Sequence, residues 1–224
     1  NAVYASDRAS ARGSFRLKLD VGDKGGVGDM SLAMRGIPSV LEKVSVGADG
    51  MATDILSGRC RQRLNVQDVL GSYADIAKAV NTVGEAYTGV LDALPVPIQT
   101  CDTDLNIMFL NKVTQEVLGG NFVGESCAKH FKGDVCGNEK CFGSNAISDG
   151  KPFSGECVVE PNGQRMDIAV TAIPMHDAAG KMTGHLEIVN DITAIREKER
   201  TMLQVAREAS DISDRVAASC IGMA

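Results

Sequence analysis

Apolar residues recur in alternating steps of four and three along most of the first 94 positions of the chain. One run extends from Met30 to Ile55, and another extends from Tyr73 to Leu94. Such spacing places an apolar seam along each helix for about three heptads, which is typical of a coiled coil. Because so short a chain cannot bury two seams by itself, we expect a second copy as the partner. A two-fold symmetric parallel homodimer with a four-helix core is the simplest arrangement.

A short segment occurs twice in this helical region, which indicates an internal repeat. Residues 13–21 align with residues 58–66, and each copy opens on a glycine and carries one spaced leucine, Leu19 or Leu64. After each copy, a second glycine opens a new helix pattern. Each repeat unit is therefore predicted to be a helix, a glycine turn, an extended connector with an anchoring leucine, and a second helix.

The helix between the two copies opens near Pro38, which is tolerated in a first helical turn but not in a helix interior. The pattern therefore predicts a helix start at this proline and the residue before it. This proline, a glycine at the helix end (Gly58) and the spaced Leu64 resemble the corresponding places of HAMP domains. The resemblance implies the second half of a HAMP-like unit in residues 1–37 and a HAMP domain in residues 38–94.

The helical period stops at Pro95 and Pro97, because proline ends a helix and favours extended backbone. Short alternating runs then predict two strands, several short helices up to Gly150, and three further strands. The predicted strands are 98–101, 106–111, 153–160, 165–173 and 182–190, with turns at 102–104, 161–163 and 177–180.

This order of elements, together with the sequence segments at residues 104–111 and 191–193, resembles a PAS domain. The resemblance implies an α+β fold over residues 95–194, in which helices cover one face of a five-stranded antiparallel sheet and enclose a cavity for a cofactor or small molecule. Asp191 and Thr193 would form the signal junction where the last strand feeds an output helix. Both are also common helix-start residues, so a plain cap explains them equally well.

Helical periodicity returns over residues 195–224, and residues 208–219 resemble the start of the signalling coiled coil of methyl-accepting chemotaxis proteins. Together, the resemblances imply a bacterial chemoreceptor segment that relays a stimulus to a downstream kinase or its adaptor through regions outside this chain. The same modules also fit a segment that feeds a histidine kinase or a cyclic-dinucleotide enzyme. A further alternative is a metal or redox protein in which a cysteine cluster is itself the active centre.

Five of the seven cysteines lie between residues 101 and 157. Cys127, Cys136 and Cys141 fall in the helical segment over the expected cavity, and Cys157 is on the next strand. Thiolates suit zinc or an iron–sulfur cluster, although no Cys-x2-Cys pair is present. Three interpretations stay open, namely unreactive buried thiols, a bound metal or cluster, and a disulfide switch that pairs Cys136 with Cys141 or Cys127.

Two histidines of this region lie in predicted helices or strands. His130 is the candidate axial ligand if the domain holds haem, and a surface or hydrogen-bonded histidine is the alternative. His185 is on the last predicted strand, where strand alternation places it on one face with Glu187 and Val189. The cofactor, if there is one, is not identified by these residues.

Composition narrows the function classes. A formal net charge of −6 argues against a nucleic-acid partner, which would need clustered Lys and Arg. No apolar run reaches the roughly 18 residues of a membrane span, so an anchor would lie in segments outside this chain. An odd cysteine count fits a reducing compartment, and the resemblances imply the cytoplasmic side of an inner membrane. Because no motif of a hydrolase, zinc protease or nucleotide-binding loop is present, we expect no enzymatic activity.

Overall fold

The computed structural model of the protein describes residues 26–67 and 69–221, with side chains described at 39–67 and 69–215. The chain divides into two compact units near residue 93. The first contains two long helices, α1 (Gly26–Leu56) and α2 (Ser72–Ala93). The second contains a five-stranded sheet, three short helices and one long terminal helix.

The connector between α1 and α2 begins and ends at glycines, as the repeat predicted. Gly58 follows α1 with φ 90°, and Gly71 precedes α2 with φ 61°. Both values lie in the left-handed region, which glycine adopts without the steric penalty of a Cβ atom. These two residues therefore set where the helices stop and start.

The connector runs in the direction opposite to α2. Arg61 Nη2 donates to Asp92 Oδ1 near the end of α2 at 2.8 Å. Further along the connector, the backbone of Leu64 exchanges two hydrogen bonds with the Asn81 side chain, at 2.8 and 3.0 Å, nearer the start of α2. Because the connector returns along α2 from its end towards its start, α1 and α2 run in the same direction.

The core of the helical unit is formed by Val44, Met51, Leu64, Val69 and Ala77. Leu64 is buried against α1, where a Cβ atom at Gly47 would lie 3.2 Å from its Cγ, so it acts as the predicted anchor. Contrary to expectation, one chain buries part of the seam by itself. Part of the seam of α2 stays exposed, and it includes Ile76, Val83 and Val90.

The predicted helix start at Pro38 is wrong, because α1 is a continuous helix of 31 residues that passes through this proline. A proline removes only one N–H donor from the helix ladder, and the bonds on either side of it can hold the helix together. The boundary between residues 37 and 38 stays a prediction. The first copy of the repeat, with Leu19, lies outside the described residues.

The second unit confirms the predicted α+β fold with a five-stranded antiparallel sheet. The strand order is β2-β1-β5-β4-β3. The strands are β1 (Ile98–Asp102), β2 (Ile107–Leu110), β3 (Phe153–Val159), β4 (Met166–His176) and β5 (Met182–Asp191). The helices are α3 (Lys112–Leu118), α4 (Cys127–Phe131), α5 (Phe142–Asp149) and α6 (Thr193–Ile221). The predicted order of two strands, short helices and three strands is therefore correct.

Helix α5 lies very close to the sheet because two glycines remove the side chains that would separate them. A Cβ atom at Gly143 of α5 would lie 2.3 Å from His185 Nε2 on β5. A Cβ atom at Gly155 of β3 would lie 2.6 Å from the ring of Phe142. The main apolar core fills the layer between the sheet and these short helices.

None of the helices in the described part of the chain combines the length and the apolar character needed to cross a membrane.

Candidate functional site

A small cavity lies between the sheet and the segment that carries α4 and α5. Its volume is about 40 Å³. One water-sized group occupies roughly 10–15 Å³ of such a volume, so the cavity has room for about three of them. Four of the five clustered cysteines line its wall, namely Cys127, Cys136, Cys141 and Cys157.

Local structure explains how these cysteines reach one cavity. Cys127 opens α4, and Cys141 precedes the first residue of α5 as its N-cap. Cys157 pairs with Ile168 in the ladder between β3 and β4, and strand alternation turns both side chains to the cavity. Cys101 on β1 is fully buried and shares a thiol hydrogen bond with Cys127.

Burial favours the protonated form of three of the four cavity thiols. It raises the pKa of Cys136 to about 11 and that of Cys157 to about 12, and it raises the pKa of Cys141 in the same direction. The hydrogen bond with Cys127, followed by burial, raises the pKa of Cys101 well above its usual value. A thiol with a pKa of 11 is about one part in ten thousand thiolate at pH 7, and the thiolate is the reactive form. The thiols are therefore poor nucleophiles at neutral pH.

Two polar residues also line the cavity. Gln99 on β1 stands opposite Glu187 on β5, and the Gln99 Nε2 donates a hydrogen bond to the Glu187 carboxylate. Gln99 is only 2% exposed, and its Oε1 has no hydrogen-bond partner among the described residues. An unpaired buried amide oxygen is unusual in a folded protein, because it has lost water without gaining a protein donor.

His185 extends this polar row along β5. It is fully buried, pairs with Cys101 in the strand ladder and lies against Gly143 of α5. Its Nε2 is 3.3 Å from Glu187 Oε1, but the alignment is too poor for a hydrogen bond, and neither ring nitrogen has a partner in the described part of the chain. As strand alternation predicted, the inward face of β5 carries His185, Glu187 and Val189.

The signal junction predicted at Asp191 and Thr193 connects the sheet to α6. Asp191 Oδ1 accepts from the backbone N–H of Thr193 at 2.9 Å, so it holds the turn. Thr193 Oγ1 accepts from the backbone N–H of Asp167 on β4 at 3.0 Å, and the N–H of Ile192 donates to the Asp167 carbonyl at 2.9 Å. The hydroxyl of Thr193 thus does more than cap a helix, because it attaches α6 to a neighbouring strand.

Two arginines of α6 form ion pairs with acidic residues of β4 and β3. Arg200 Nη2 donates to both carboxylate oxygens of Asp167 at 3.0 Å. Arg196 pairs with Glu156 on β3. Each acidic residue is next in sequence to a cavity-lining residue, because Glu156 precedes Cys157 and Asp167 precedes Ile168.

Comparison with known protein families agrees with this architecture. Residues 91–197 match the family described as PAS fold. Residues 91–197 form a PAS domain.

Solved PAS structures resemble the chain at low sequence identity. The PAS domain of a Colwellia psychrerythraea protein is 19% identical, with a TM-score of 0.44, and the match covers 50% of this chain and 98% of that one. The PAS domain of an HTR-like protein from Haloarcula marismortui is 17% identical, with a TM-score of 0.44 and coverages of 53% and 98%. The Vibrio cholerae VqmA dimer is 16% identical, with a TM-score of 0.42 and coverages of 48% and 52%. No curated protein matches the chain.

The PAS cavity does not provide a preformed metal centre. No group of three or more His, Cys, Asp or Glu side chains in the described part of the chain is placed to hold a metal ion. Burial also raises the pKa of Cys136, Cys141 and Cys157, which disfavours the thiolates that zinc and iron–sulfur clusters need. As they are placed here, these residues do not fit a metal or an iron–sulfur cluster.

The predicted disulfide switch, which pairs Cys136 with Cys141 or with Cys127, stays a prediction. All the cysteines at residues 60, 101, 127, 136, 141 and 157 are free. A hydrogen bond with the Cys127 thiol contributes to the raised pKa of Cys101, and neither predicted pair included Cys101. That pairing depends on the packing of α4 against β1, which cysteine spacing along the chain does not reveal.

His130 does not line the PAS cavity. Its ring stacks on Phe122 with centroids 3.8 Å apart, and its Nε2 lies 3.1 Å from Glu125 Oε2. The hydrogen bond from Lys129, followed by that from His130, lowers the pKa of Glu125. With its nitrogen engaged by a carboxylate, His130 has the hydrogen-bonded role that was the alternative to a haem ligand.

Sequence reasoning missed Gln99 as a site residue. A single glutamine in a predicted strand carries no chemical signal, and its importance appears only from the residue opposite it. The pairing of β1 with β5 joins residues 88 positions apart in sequence. The alternation that grouped His185 with Glu187 was the one available signal for this polar row.

Proposed function

We propose that this chain is a sensory signal-transduction segment of a bacterial chemoreceptor. In this proposal the PAS domain senses a small molecule, and α6 passes the signal along a coiled coil to a downstream kinase and its adaptor on the cytoplasmic side of an inner membrane. The helical unit acts as a HAMP domain within the same coil, and the chain itself catalyses no reaction. The protonated state of the cavity thiols favours ligand binding over thiol redox chemistry as the stimulus.

The observation that carries the proposal is the attachment of α6 to the strands that form the cavity wall. Thr193 and Arg200 both bind Asp167 on β4, and Arg196 binds Glu156 on β3. The neighbouring residues Cys157 and Ile168 face the cavity from the other side of the sheet. A ligand that displaces the strands at these two residues therefore acts on the backbone that holds α6.

This coupling requires only a modest free energy. The hydrogen bond between Thr193 and Asp167 contributes about 1 kcal/mol, and the ion pairs of Arg196 and Arg200 are largely solvated. A ligand shifts the helix only by its differential affinity for the two positions of α6. Because the attachment is weak, a ligand with a tenfold preference for one position changes the population of α6 substantially.

Exposed apolar residues support a second copy of the chain as the partner of the helices. Ile76, Val83 and Val90 are seven residues apart on α2 and are 50%, 69% and 64% exposed. Ile195 and Met202 have the same spacing on α6 and are 57% and 73% exposed. A seven-residue repeat of exposed apolar side chains matches the seam of a coiled coil.

Sedimentation of the full chain tests the homodimer. We expect a dimer at tens of micromolar, and Val83→Asp should shift the equilibrium towards monomer because it places a charge in the seam. Glu85→Asp, an exposed change on the same helix, is the control. A wild-type chain that is monomeric at this concentration contradicts the coiled-coil arrangement.

The relay can be tested without knowing the natural ligand. Cys157→Met places a larger side chain in the cavity, so it fills part of the space that a ligand would occupy. Hydrogen–deuterium exchange of the full chain should then change in the first turns of α6, and not only in β3 and β4. Thr193→Val, which removes the connecting hydroxyl, should reduce the response in α6 to Cys157→Met.

Thr171→Val is the matched control, because it removes a threonine hydroxyl from β4 at a site that bonds Ser154 and not α6. The relay is contradicted if Cys157→Met changes exchange in β3 and β4 while residues 193–200 exchange at the wild-type rate. It is also contradicted if Thr193→Val leaves the response of α6 intact.

The gene sequence beyond the codon for Ala224 tests which output the segment serves. Methylation helices and a kinase-contacting tip would support the chemoreceptor, and a histidine kinase or cyclic-dinucleotide domain would replace that part of the proposal. The sensing and relay functions of the PAS domain are common to both outcomes.

A further inference from the structure

The cavity presents hydrogen-bond acceptors at its polar end. Gln99 donates its amide nitrogen to Glu187, so its carbonyl oxygen is turned away from that carboxylate and has no partner among the described residues. Glu187 supplies the second acceptor group and lines the same cavity. A ligand must therefore bring donors to this end if it is to satisfy the buried oxygen.

The remaining wall is apolar or weakly polar. It consists of the four cysteines together with Phe, Val and Ile side chains, among which are Phe131, Val135 and Val189. An anion would be repelled by Glu187, and a wholly apolar molecule would leave Gln99 Oε1 unpaired. The volume of about 40 Å³ admits a ligand of about three heavy atoms.

We propose that the cavity binds a short-chain primary amine in its ammonium form. The ammonium group donates to Gln99 Oε1 and is neutralised by the Glu187 carboxylate, while the short alkyl group lies against the thiol and valine wall. This inference rests on the proposed sensory function and names the ligand class for that same cavity. It supplies a partner for the buried Gln99 Oε1, which has none among the described residues.

A titration followed by NMR tests the proposal on the full chain. Ethylammonium chloride should shift the Gln99 side-chain amide signals in a saturable manner, with a Kd on the order of 1 mM, which is the affinity expected for about three heavy atoms. Formate has the same number of heavy atoms but offers only acceptors, and ethanol offers a neutral donor. At matched ionic strength, both should bind at least tenfold more weakly than ethylammonium.

Two variants separate charge recognition from general packing. Glu187→Gln keeps the shape of the side chain but removes its charge, and it should weaken ethylammonium binding at least tenfold while changing ethanol binding less than twofold. Glu160→Gln removes a charge from an exposed residue outside the cavity and should leave both affinities unchanged. The dispersion of the NMR spectrum shows directly whether each variant is folded.

Four results would overturn the proposal. They are formate binding as tightly as ethylammonium, an unchanged ethylammonium affinity in Glu187→Gln, saturable binding of zinc chloride to the cavity thiols in place of the amine, and no saturable shift with any of these molecules well above the expected Kd. The last result would mean that water alone satisfies Gln99. None of them decides the relay, because the exchange experiment on Cys157→Met uses no ligand.

Discussion

The helical unit and the PAS domain differ in whether their buried polar side chains are hydrogen-bonded. In the helical unit, Asn81 exchanges two hydrogen bonds with the backbone of Leu64, and the buried Thr88 hydroxyl bonds Gly84 and Arg63. In the PAS domain, β1 and β5 contain the described side chains whose buried oxygen or nitrogen atoms have no partner, namely Gln99, Thr183 and His185.

This difference separates structural polar groups from functional ones. A satisfied polar group stabilises one arrangement of the chain, as when Asn81 holds the connector along α2. An unsatisfied buried group destabilises the protein unless something else supplies its partner. The unpaired atoms on β1 and β5 therefore identify the region where a ligand or water completes the fold.

The largest expected effect comes from breaking the satisfied network. Asn81→Leu leaves both the N–H and the carbonyl of Leu64 without their partner, so the free energy of unfolding should fall by about 2–4 kcal/mol. Denaturation by urea measures this change. Thr82→Ala, an exposed neighbour on α2, is the control and should have an effect below about 0.5 kcal/mol. A loss for Asn81→Leu no larger than that of the control contradicts the structural role of Asn81.

A second prediction concerns the close contact between Gly143 of α5 and His185 of β5. Gly143→Ala should destabilise the PAS domain by about 1–3 kcal/mol, because its methyl group would overlap the ring of His185. Gly89→Ala on α2 meets nothing within 4 Å and should stabilise its helix by up to about 1 kcal/mol. Thermal denaturation followed by circular dichroism compares the two variants. If both stabilise the protein, α5 does not pack on His185 as described.

Matched threonine-to-valine substitutions should change the free energy of unfolding differently in the two units. Thr88→Val removes a hydroxyl that has three hydrogen-bond partners, and it should lower stability by about 1–2 kcal/mol. Thr183→Val removes a buried hydroxyl without a partner, so it should leave stability unchanged or raise it by up to about 1 kcal/mol. Urea denaturation of both variants gives the two values. Equal losses would show that Thr183 is satisfied by water or by a bound molecule.

The smallest expected effect is the change in stability with pH that the Cys157 thiol causes. Because burial raises the pKa of Cys157 to about 12, its contribution to stability is fully present below the thiol's usual pKa near 9 and is lost as the pH rises towards 12. Thermal denaturation at pH 7.5 should therefore show a more stable protein than at pH 10.5. Cys157→Val should reduce the difference in PAS-domain melting temperature between the two pH values. Cys60→Val, in the helical unit, should reduce that difference less. An unchanged dependence would contradict the burial of the Cys157 thiol.

Much of the fold was predictable because it depends on local patterns. The strands, the turns and the glycines Gly58 and Gly71 follow from alternation and from the backbone freedom of glycine. The error at Pro38 has a physical cause, since a long helix can lose one backbone bond without ending. The homodimer and the HAMP assignment stay predictions.

The sequence by itself determined the order of the elements, the position of the cysteines over a cavity, and the face that His185 shares with Glu187. Periodicity and turn residues act between neighbours in the chain, so they can be read directly. Only the tertiary structure decided that Gln99 meets Glu187, that Cys101 meets Cys127, and that Thr193 bonds Asp167. Those contacts join distant segments, and they depend on strand register and helix packing, which no local pattern specifies.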